Sequence, residues 1–428
     1  MRRAALLGWL LLVVTCVGLV HAQTTTPPGS PFDFPSGGTT QATRHITTIG
    51  AGSFVTLDSV ATGNSGVIRS ILIADTAEDT TTVLDMYLVL KYDGSAVSSD
   101  SFPLAALLGY CGAQRGVADT THTYDTPFWE RRTPLGSTLG APGHAWAIRY
   151  PIPYTNGIVV RLAAVAGPHS MWVSLVRQTQ LPACWNRTYR FHISHTDSTI
   201  AAANVTVPGT GTRKVWFSST GQGHGSNTAV TADHIGWAFI GSAGSTPWNK
   251  ELVITGRTAD TLFTIGTPDI DAVITQAQRT NPKLTRPEVF FRRSAGKVGY
   301  IASVVMALST GTGDNSRLEA CPRFYLTSPN AGADGTLPIY TGTGFEDFFN
   351  GVGYGFAASG TTSGLHGART GVTGYDANNS GGTGAQMTGY RIFDRDLLNY
   401  TNGCSATFTN WGGTTCRVQA TVAYYERQ

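Results

Sequence analysis

Acid chemistry and a binding surface coincide at one place in this chain, Gly342-Thr343-Gly344-Phe345-Glu346-Asp347-Phe348-Phe349-Asn350-Gly351. Two adjacent carboxylates stand there between a glycine-rich turn and paired aromatics. Asp and Glu together supply only 27 of 428 residues, so an acidic pair in an aromatic setting departs from its surroundings. Glycines let the backbone approach a ligand closely. Phe345 and Phe348 are candidates to line a pocket and stack on a sugar ring. A carboxylate held among apolar groups has a raised pKa, which suits general acid or base work. The alternative is a surface turn between two strands with both acids in water. On a strand, neighbouring residues point to opposite faces. Glu346 would then face the ligand, and Asp347 would serve a structural partner, Arg391 being the candidate.

Other residues have two readings each. His366, in Gly364-Leu365-His366-Gly367, is either a hydrogen-bond donor to substrate or a packed turn residue. Arg391, beside Tyr390, either clamps a substrate hydroxyl or holds a loop through Asp347 or Asp396. Trp411 is either a stacking platform at a subunit contact or a plain exposed aromatic. No Cys or His spacing matches a zinc site, and His192 and His195 fall in a strand-like run, so neither metal nor cofactor is expected. The net charge of +3, with no basic run, gives no reason to expect nucleic acid.

Arg2 and Arg3, the apolar run Ala4 to Val20 and the small residues of Val20-His21-Ala22 read as a secretory signal cleaved before Gln23. An uncleaved anchor is the alternative, though the run is short for a spanning helix. Later segments give no second candidate span, so a secreted protein with no membrane partner after cleavage is expected. Cys16 leaves with the signal, so Cys111, Cys184, Cys321, Cys404 and Cys416 remain, an odd number. Cys404 and Cys416 flank Asn410-Trp411-Gly412-Gly413, which reads as a hairpin tip, and a bridge between them is expected, with Cys321 unpaired within the chain. Sequons at Asn186, Asn204, Asn378 and Asn399 are either surface glycosylation sites or chance in a Thr-rich chain.

Residues 23–44 are rich in Pro, Thr and Gly and read as a flexible leader. Beyond them, short β-branched and aromatic runs recur between Gly, Asn and Asp turns. Gly66-Val-Ile-Arg-Ser-Ile-Leu-Ile, Leu84-Asp-Met-Tyr-Leu-Val-Leu-Lys-Tyr and Arg417-Val-Gln-Ala-Thr-Val-Ala-Tyr-Tyr are examples. Helical periodicity is confined to two short candidates, Phe102 to Leu108 and Asp269 to Gln278. This rhythm over some 400 residues predicts an all-β protein of two sandwiches with a boundary near Pro182 to Trp185. Neither half shows a clean internal repeat by eye.

Several segments, in order, resemble one family, the double jelly-roll proteins long catalogued as a domain of unknown function. Its characterised members are furanoside-active glycoside hydrolases, among them difructose dianhydride synthase/hydrolase and exo-acting D-arabinofuranosidases. The segments are Gly342 to Phe349, Tyr92-Asp93-Gly94 with Phe102-Pro103-Leu104, Tyr150-Pro151-Ile152-Pro153-Tyr154, Leu365-His366-Gly367, Tyr390-Arg391 with Asp396, and Val422-Ala423-Tyr424-Tyr425. The resemblance implies two tandem jelly rolls, similar to double jelly-roll capsid proteins, over residues 45–183 and 184–428. It also implies a homo-oligomer that is a trimer or a multiple of one, a carbohydrate substrate, and Glu346 as a catalytic carboxylate. Asp396 matches a structural position. The family's second catalytic glutamate has no counterpart, since no Glu occurs between Glu346 and Glu426, and Asp376 is the stand-in. Retaining hydrolysis needs two carboxyl groups about 5–5.5 Å apart. Three functions therefore stand together: a secreted furanosidase, a self-assembling structural protein, and a carbohydrate-binding protein.

Overall fold

The computed structural model describes residues 39–75, 85–94, 100–109, 124–132, 144–179, 189–200, 209–217, 222–228, 230–240, 252–259, 262–266, 277–280, 283–310, 322–341, 344–349, 369–376, 386–394, 398–410 and 415–427. The signal and most of the expected leader lie outside them. The first strand begins at Thr39, inside the stretch read as leader.

The first sandwich runs through β1 (Thr39–Ile49), β2 (Phe54–Val60), β3 (Gly66–Asp75), β4 (Met86–Tyr92), β5 (Asp100–Pro103), the one-turn helix α1 (Leu104–Leu107), β6 (Tyr124–Asp125), β7 (Trp129–Arg132), β8 (His144–Ile148), β9 (Ile152–Tyr154), β10 (Ile158–Ala164) and β11 (His169–Gln178). The two-residue alternation that betrays these strands comes from one-sided burial. Strand β4 buries Met86, Leu88, Leu90 and Tyr92 and half-exposes the residues between, and β10 does the same from Ile158 to Ala164. One sheet has the order β1-β11-β3-β8, continued by β7 and β6, and the other β2-β10-β4-β5. With the eight framework strands lettered B to I along the chain, these orders are B-I-D-G and C-H-E-F, which is the jelly roll. The helix candidate Phe102 to Leu108 holds α1.

The second sandwich repeats the plan. Its strands are β12 (Tyr189–Ile200), then an inserted group β13 (Gly209–Phe217), β14 (Gln222–Thr228), β15 (Ala238–Ile240), β16 (Leu252–Ala259), β17 (Leu262–Gly266), β18 (Ala277–Thr280) and β19 (Lys283–Thr285). The framework resumes with β20 (Glu288–Arg293), β21 (Gly299–Thr310), β22 (Arg323–Tyr325), β23 (Tyr340–Thr341), the one-turn helix α2 (Phe345–Phe348), β24 (Thr370–Asp376), β25 (Gln386–Ile392), β26 (Leu398–Tyr400), β27 (Cys404–Phe408) and β28 (Cys416–Arg427). The orders β12-β28-β21-β25 and β20-β27-β22-β23 are again B-I-D-G and C-H-E-F. The chain is thus all-β, two tandem jelly rolls. The sequence did not announce the insertion, an antiparallel sheet β18-β13-β14-β17-β16-β15-β19 placed between strands B and C. The described end of the second helix candidate is strand β18 in it. This sheet backs onto the second roll, where Gly236 and Gly332 approach so closely that a Cβ on Gly236 would stand 2.9 Å from the Gly332 carbonyl carbon.

The duplication reaches single residues. Both rolls turn from strand G to strand H through Tyr-Thr-Asn-Gly, at Tyr154–Gly157 and at Tyr400–Gly403. The Gly63 amide donates to Asn156 Oδ1 at 2.6 Å, and the Gly296 amide to Asn402 Oδ1 at 2.8 Å. The Gly157 amide donates to the Asn64 carbonyl and the Gly403 amide to the Lys297 carbonyl, both at 2.7 Å. Tyr154 Oη would lie 2.4 Å from a Cβ on Gly66, and Tyr400 Oη 2.5 Å from one on Gly299, so only glycine fits where each strand D begins. Beside this corner each roll ties strand C to strand I with an ion pair, Asp58–Arg177 in the first and Arg293–Glu426 in the second, with the sense of charge reversed.

The two rolls share a core. In β21, Val304, Met306 and Leu308 face the second roll's interior, while Val305 and Ala307 face the first roll. In β28, Val422 and Tyr424 face inward and Ala423 and Tyr425 face the first roll. A sheet buried on both faces reads as a continuous apolar run rather than an alternating one, and the closing strand does so. Across the seam β5, β9 and α1 meet β12 and β28. The Tyr92 hydroxyl donates to the Phe191 carbonyl at 3.1 Å, and the Tyr425 hydroxyl to the Pro151 carbonyl at 2.7 Å. Tyr150 Oη meets Ser303 Oγ at 2.6 Å. Arg190 pairs with Asp93, and His192 with Asp100 at 3.0 Å, along the rim.

Candidate functional site

The Gly344–Phe349 segment is a helical turn, not a strand. The Phe348 amide donates to the Gly344 carbonyl at 3.0 Å and the Phe349 amide to the Phe345 carbonyl at 3.2 Å. The cause is the placing of three phenylalanines at i, i+3 and i+4, which puts them on one face of a turn. All three rings are buried in the second roll's core. Phe345 packs on Phe349 at 4.7 Å and on Phe408 at 6.0 Å, and Phe348 stacks on Phe324 at 5.9 Å. Phe349 sits over strand G, where a Cβ on Gly389 would fall 2.5 Å from its ring. Phe345 and Phe348 are therefore core residues, and the expectation that they line a sugar pocket is corrected. Glu346 and Asp347 take the remaining two positions of the turn, and their side chains lie outside the described residues.

Arg391 is the residue that fixes this turn. Its Nη1 donates to the Phe348 carbonyl at 2.7 Å, at the C-terminal end of α2. Its guanidinium lies over the rings of Tyr340 and Phe348 at 5.1 Å and of Phe393 at 5.8 Å. Of its two readings, loop-holding is the one the described contacts fill, through a backbone carbonyl where a carboxylate was expected. Next to it Arg369 grips Asp394 with two bonds of 2.6 and 2.7 Å, a pair the sequence reading did not single out.

The expected second acid, Asp376, closes β24 opposite Gln386. That is three residues, about 10 Å, along β25 from Gly389, where Phe349 packs. Its side chain lies outside the described residues, as do His366, Asp396, Trp411, Asn186, Asn204 and Asn378. Asn399 is exposed on β26, as a modified asparagine must be. Among the described residues no group of three His, Cys, Asp or Glu is placed to hold a metal.

No disulfide joins Cys404 and Cys416. Cys404 pairs in register with Arg293, which binds Glu426 near the end of β28. Cys416 begins β28, opposite Ile200 and Thr310. Ten residues of strand separate the two levels, roughly 33 Å, far beyond the Cα separation of about 7 Å that a bridge tolerates. The strands that carry them, β27 and β28, belong to different sheets and do not pair as a hairpin, and the expected tip at residues 411–413 lies outside the described residues. Burial pushes the Cys404 thiol up to about 12, so it stays protonated and inert.

No family model matches the chain, so its likeness to the furanosidase family remains a likeness of motifs. No curated protein matches it either. Among solved structures, the major capsid protein P2 from bacteriophage PM2 aligns with 91% of this chain and 97% of its own, at 6% identity and a TM-score of 0.32. The STIV MCP aligns with 86% of this chain and 96% of its own, at 9% identity and a TM-score of 0.30. PBCV-1 VP54, in a structure fitted into a cryo-EM reconstruction of the virophage Sputnik, aligns with 92% and 97%, at 10% identity and a TM-score of 0.26. With scores this low, the fold rests on the sheet orders described above.

Proposed function

We propose that this chain is a structural protein, a double jelly-roll subunit that assembles with copies of itself into a shell-like array. Jelly rolls serve both capsids and lectins, so the fold alone leaves the choice open. The observation that carries the reading is the fate of the Gly-Thr-Gly-Phe-Glu-Asp-Phe-Phe segment. Its aromatics are spent on the core and its turn is pinned by Arg391, so the feature that most resembled a sugar site holds the second roll together. The shared core between the rolls adds a rigid two-roll block, which is what a tiling subunit needs. Export through the N-terminal signal would place assembly outside the cytoplasm.

Mature protein at tens of micromolar should form regular oligomers by electron microscopy and mass photometry. It should release no sugar from aryl arabinofuranosides or fructofuranosides. Glu346→Gln should assemble as the wild type does. Turnover that vanishes in Glu346→Gln while the fold persists would overturn this reading in favour of the hydrolase.

A further inference from the structure

We propose that the first roll carries a membrane-docking tip, formed by the B-C turn at Gly50–Phe54 and the H-I turn at Ala164–Pro168, which enters the interfacial layer of a lipid bilayer. This goes beyond the assembly reading and does not depend on it.

The two turns are short because nothing is inserted in them. The second roll's B-C connection holds the seven strands of the inserted sheet, whereas the first roll's runs straight from β1 into β2. Ile49 at the end of β1 pairs with His169 at the start of β11, and Phe54 at the start of β2 pairs with Ala163 near the end of β10. The turns therefore meet at one end of the sandwich. Gly167 lies so close to the other turn that a Cβ on it would stand 2.8 Å from the Ile49 carbonyl oxygen.

The surface they present together is apolar. Ala51 to Phe54 and Val165 to Pro168 are exposed, Phe54 to 56% and Val165 to 63%. Ser53 has the only polar side chain in the two turns, and none is charged. Exposed hydrophobics scattered singly are ordinary, but a contiguous apolar patch marks a binding surface. The opposite end of the same roll supplies the contrast, since its turns put Thr62, Asn64 and Asn156 into water. Each apolar turn is only five residues long and the two are far apart in the chain. That is why the sequence alone led to no membrane partner after signal cleavage.

Two features select a lipid surface as the occupant. The first is the backbone. The Gly52 amide donates to the Ala164 carbonyl and the Ala164 amide to the Ser53 carbonyl, both at 2.9 Å. The Ser53 amide donates to the Gly50 carbonyl at 3.1 Å, and the Val165 amide to the Asp85 carbonyl at 2.8 Å. Backbone that leaves water for lipid needs its polar groups satisfied within the protein, and these amides meet that need before any contact. The second is Arg161. It is rooted in β10 three residues short of Ala164, and its guanidinium carbon lies 4.3 Å from the centre of the Phe54 ring. An aromatic that enters the acyl boundary with a cation beside it, at the level of the phosphates, is the arrangement of interfacial membrane anchors.

Flotation of the mature protein with vesicles tests this. Wild type should float with vesicles of phosphatidylcholine, and more completely with equal parts of phosphatidylcholine and phosphatidylserine. Phe54→Ser/Val165→Ser should bind about a hundredfold more weakly, since each side chain contributes roughly tenfold through its buried area. Its circular dichroism should match wild type, because both side chains are exposed. Arg161→Gln should abolish the gain from phosphatidylserine and keep the binding to phosphatidylcholine. Ile339→Ser removes a comparably exposed side chain from the second roll and should bind as wild type does. Wild type that does not float, or a double variant that floats equally well, overturns the proposal and leaves the assembly reading standing. Equal loss in Ile339→Ser would mean unspecific adhesion and overturn it as well. A gain from phosphatidylserine that survives Arg161→Gln overturns the role given to that residue. Wild type that ignores vesicles, with a double variant that loses oligomers, would make the tip a contact between copies and remove the lipid assignment.

Discussion

Phe191→Ala should destabilise the whole protein by about 3–5 kcal/mol, the cost of emptying a buried aromatic site, and should split its unfolding into two transitions. Phe191 belongs to the second roll by sequence and to the first by packing. Its ring meets Phe102 at 6.4 Å, Tyr150 at 5.1 Å and Tyr425 at 5.3 Å, so residues of both rolls line the cavity the change would leave. Its carbonyl takes the Tyr92 hydroxyl, a bond that needs the ring's neighbours in place. With the seam intact, the first roll cannot open without exposing the outer face of β28, so the two unfold together. With the seam hollowed, each sandwich keeps its own inner core and melts by itself. Scanning calorimetry reads this directly, since the van't Hoff and calorimetric enthalpies agree for one transition and diverge for two. Phe54→Ala is the control. That ring is exposed, with Arg161 stacked on it at 4.3 Å, and the change should stay within about 0.5 kcal/mol. Equal losses at the two positions would mean that the seam is no part of the core.

How much of this was legible depended on which forces act within a few residues. One-sided strands alternate, so β4 and β10 could be read from the spacing of Met86, Leu88 and Leu90 or of Ile158, Val160 and Leu162. The strand rhythm did not separate the inserted sheet from the framework, because β13 to β19 use the same residue types and differ only in their long-range partners. The turn at Phe345 was misread for a related reason. Phe-Glu-Asp-Phe-Phe fits a strand or a helical turn by local pattern, and the Gly389 gap that receives Phe349 lies forty residues away. The Cys404–Cys416 bridge looked plausible because twelve residues suit a hairpin, yet strands H and I of a jelly roll lie in different sheets. One signal was present and missed. Tyr-Thr-Asn-Gly occurs twice, at Tyr154 and Tyr400, and marks the corner that relates the two rolls. The strands around it share almost no sequence, so these four residues carry the repeat alone.

The second large effect lies at that corner. Arg293→Ala should cost about 3–5 kcal/mol at pH 7, the usual penalty for stranding one member of a buried pair, and the loss should shrink in acid. Glu426 is nearly inaccessible, and Arg293 grips it through Nε and Nη2, both at 2.6 Å. Lys297 adds a looser contact at 3.3 Å, and the Tyr400 hydroxyl donates at 3.3 Å. Burial alone would raise the Glu426 pKa. The Arg293 bonds and the two positive charges outweigh it and hold the group below the usual carboxylate range. A depressed folded-state pKa contributes stability that is present above the unfolded value, about 4.3, and is lost as pH falls through the folded one. In Arg293→Ala the sign reverses. Burial then dominates, the folded pKa rises above the unfolded one, and the variant is penalised for the buried charge at neutral pH. Protonation relieves that penalty. Urea melts at pH 7 and pH 3.5 should therefore show a wide gap between wild type and variant that narrows in acid. The first roll's counterpart supplies the contrast. Arg177 and Asp58 sit at 3.0 Å with both side chains partly exposed, so Arg177→Ala should cost less. A gap for Arg293→Ala that is unchanged at pH 3.5 would mean that the guanidinium stabilises this end by packing on the Tyr424 ring, 5.0 Å away, and not by pairing with Glu426.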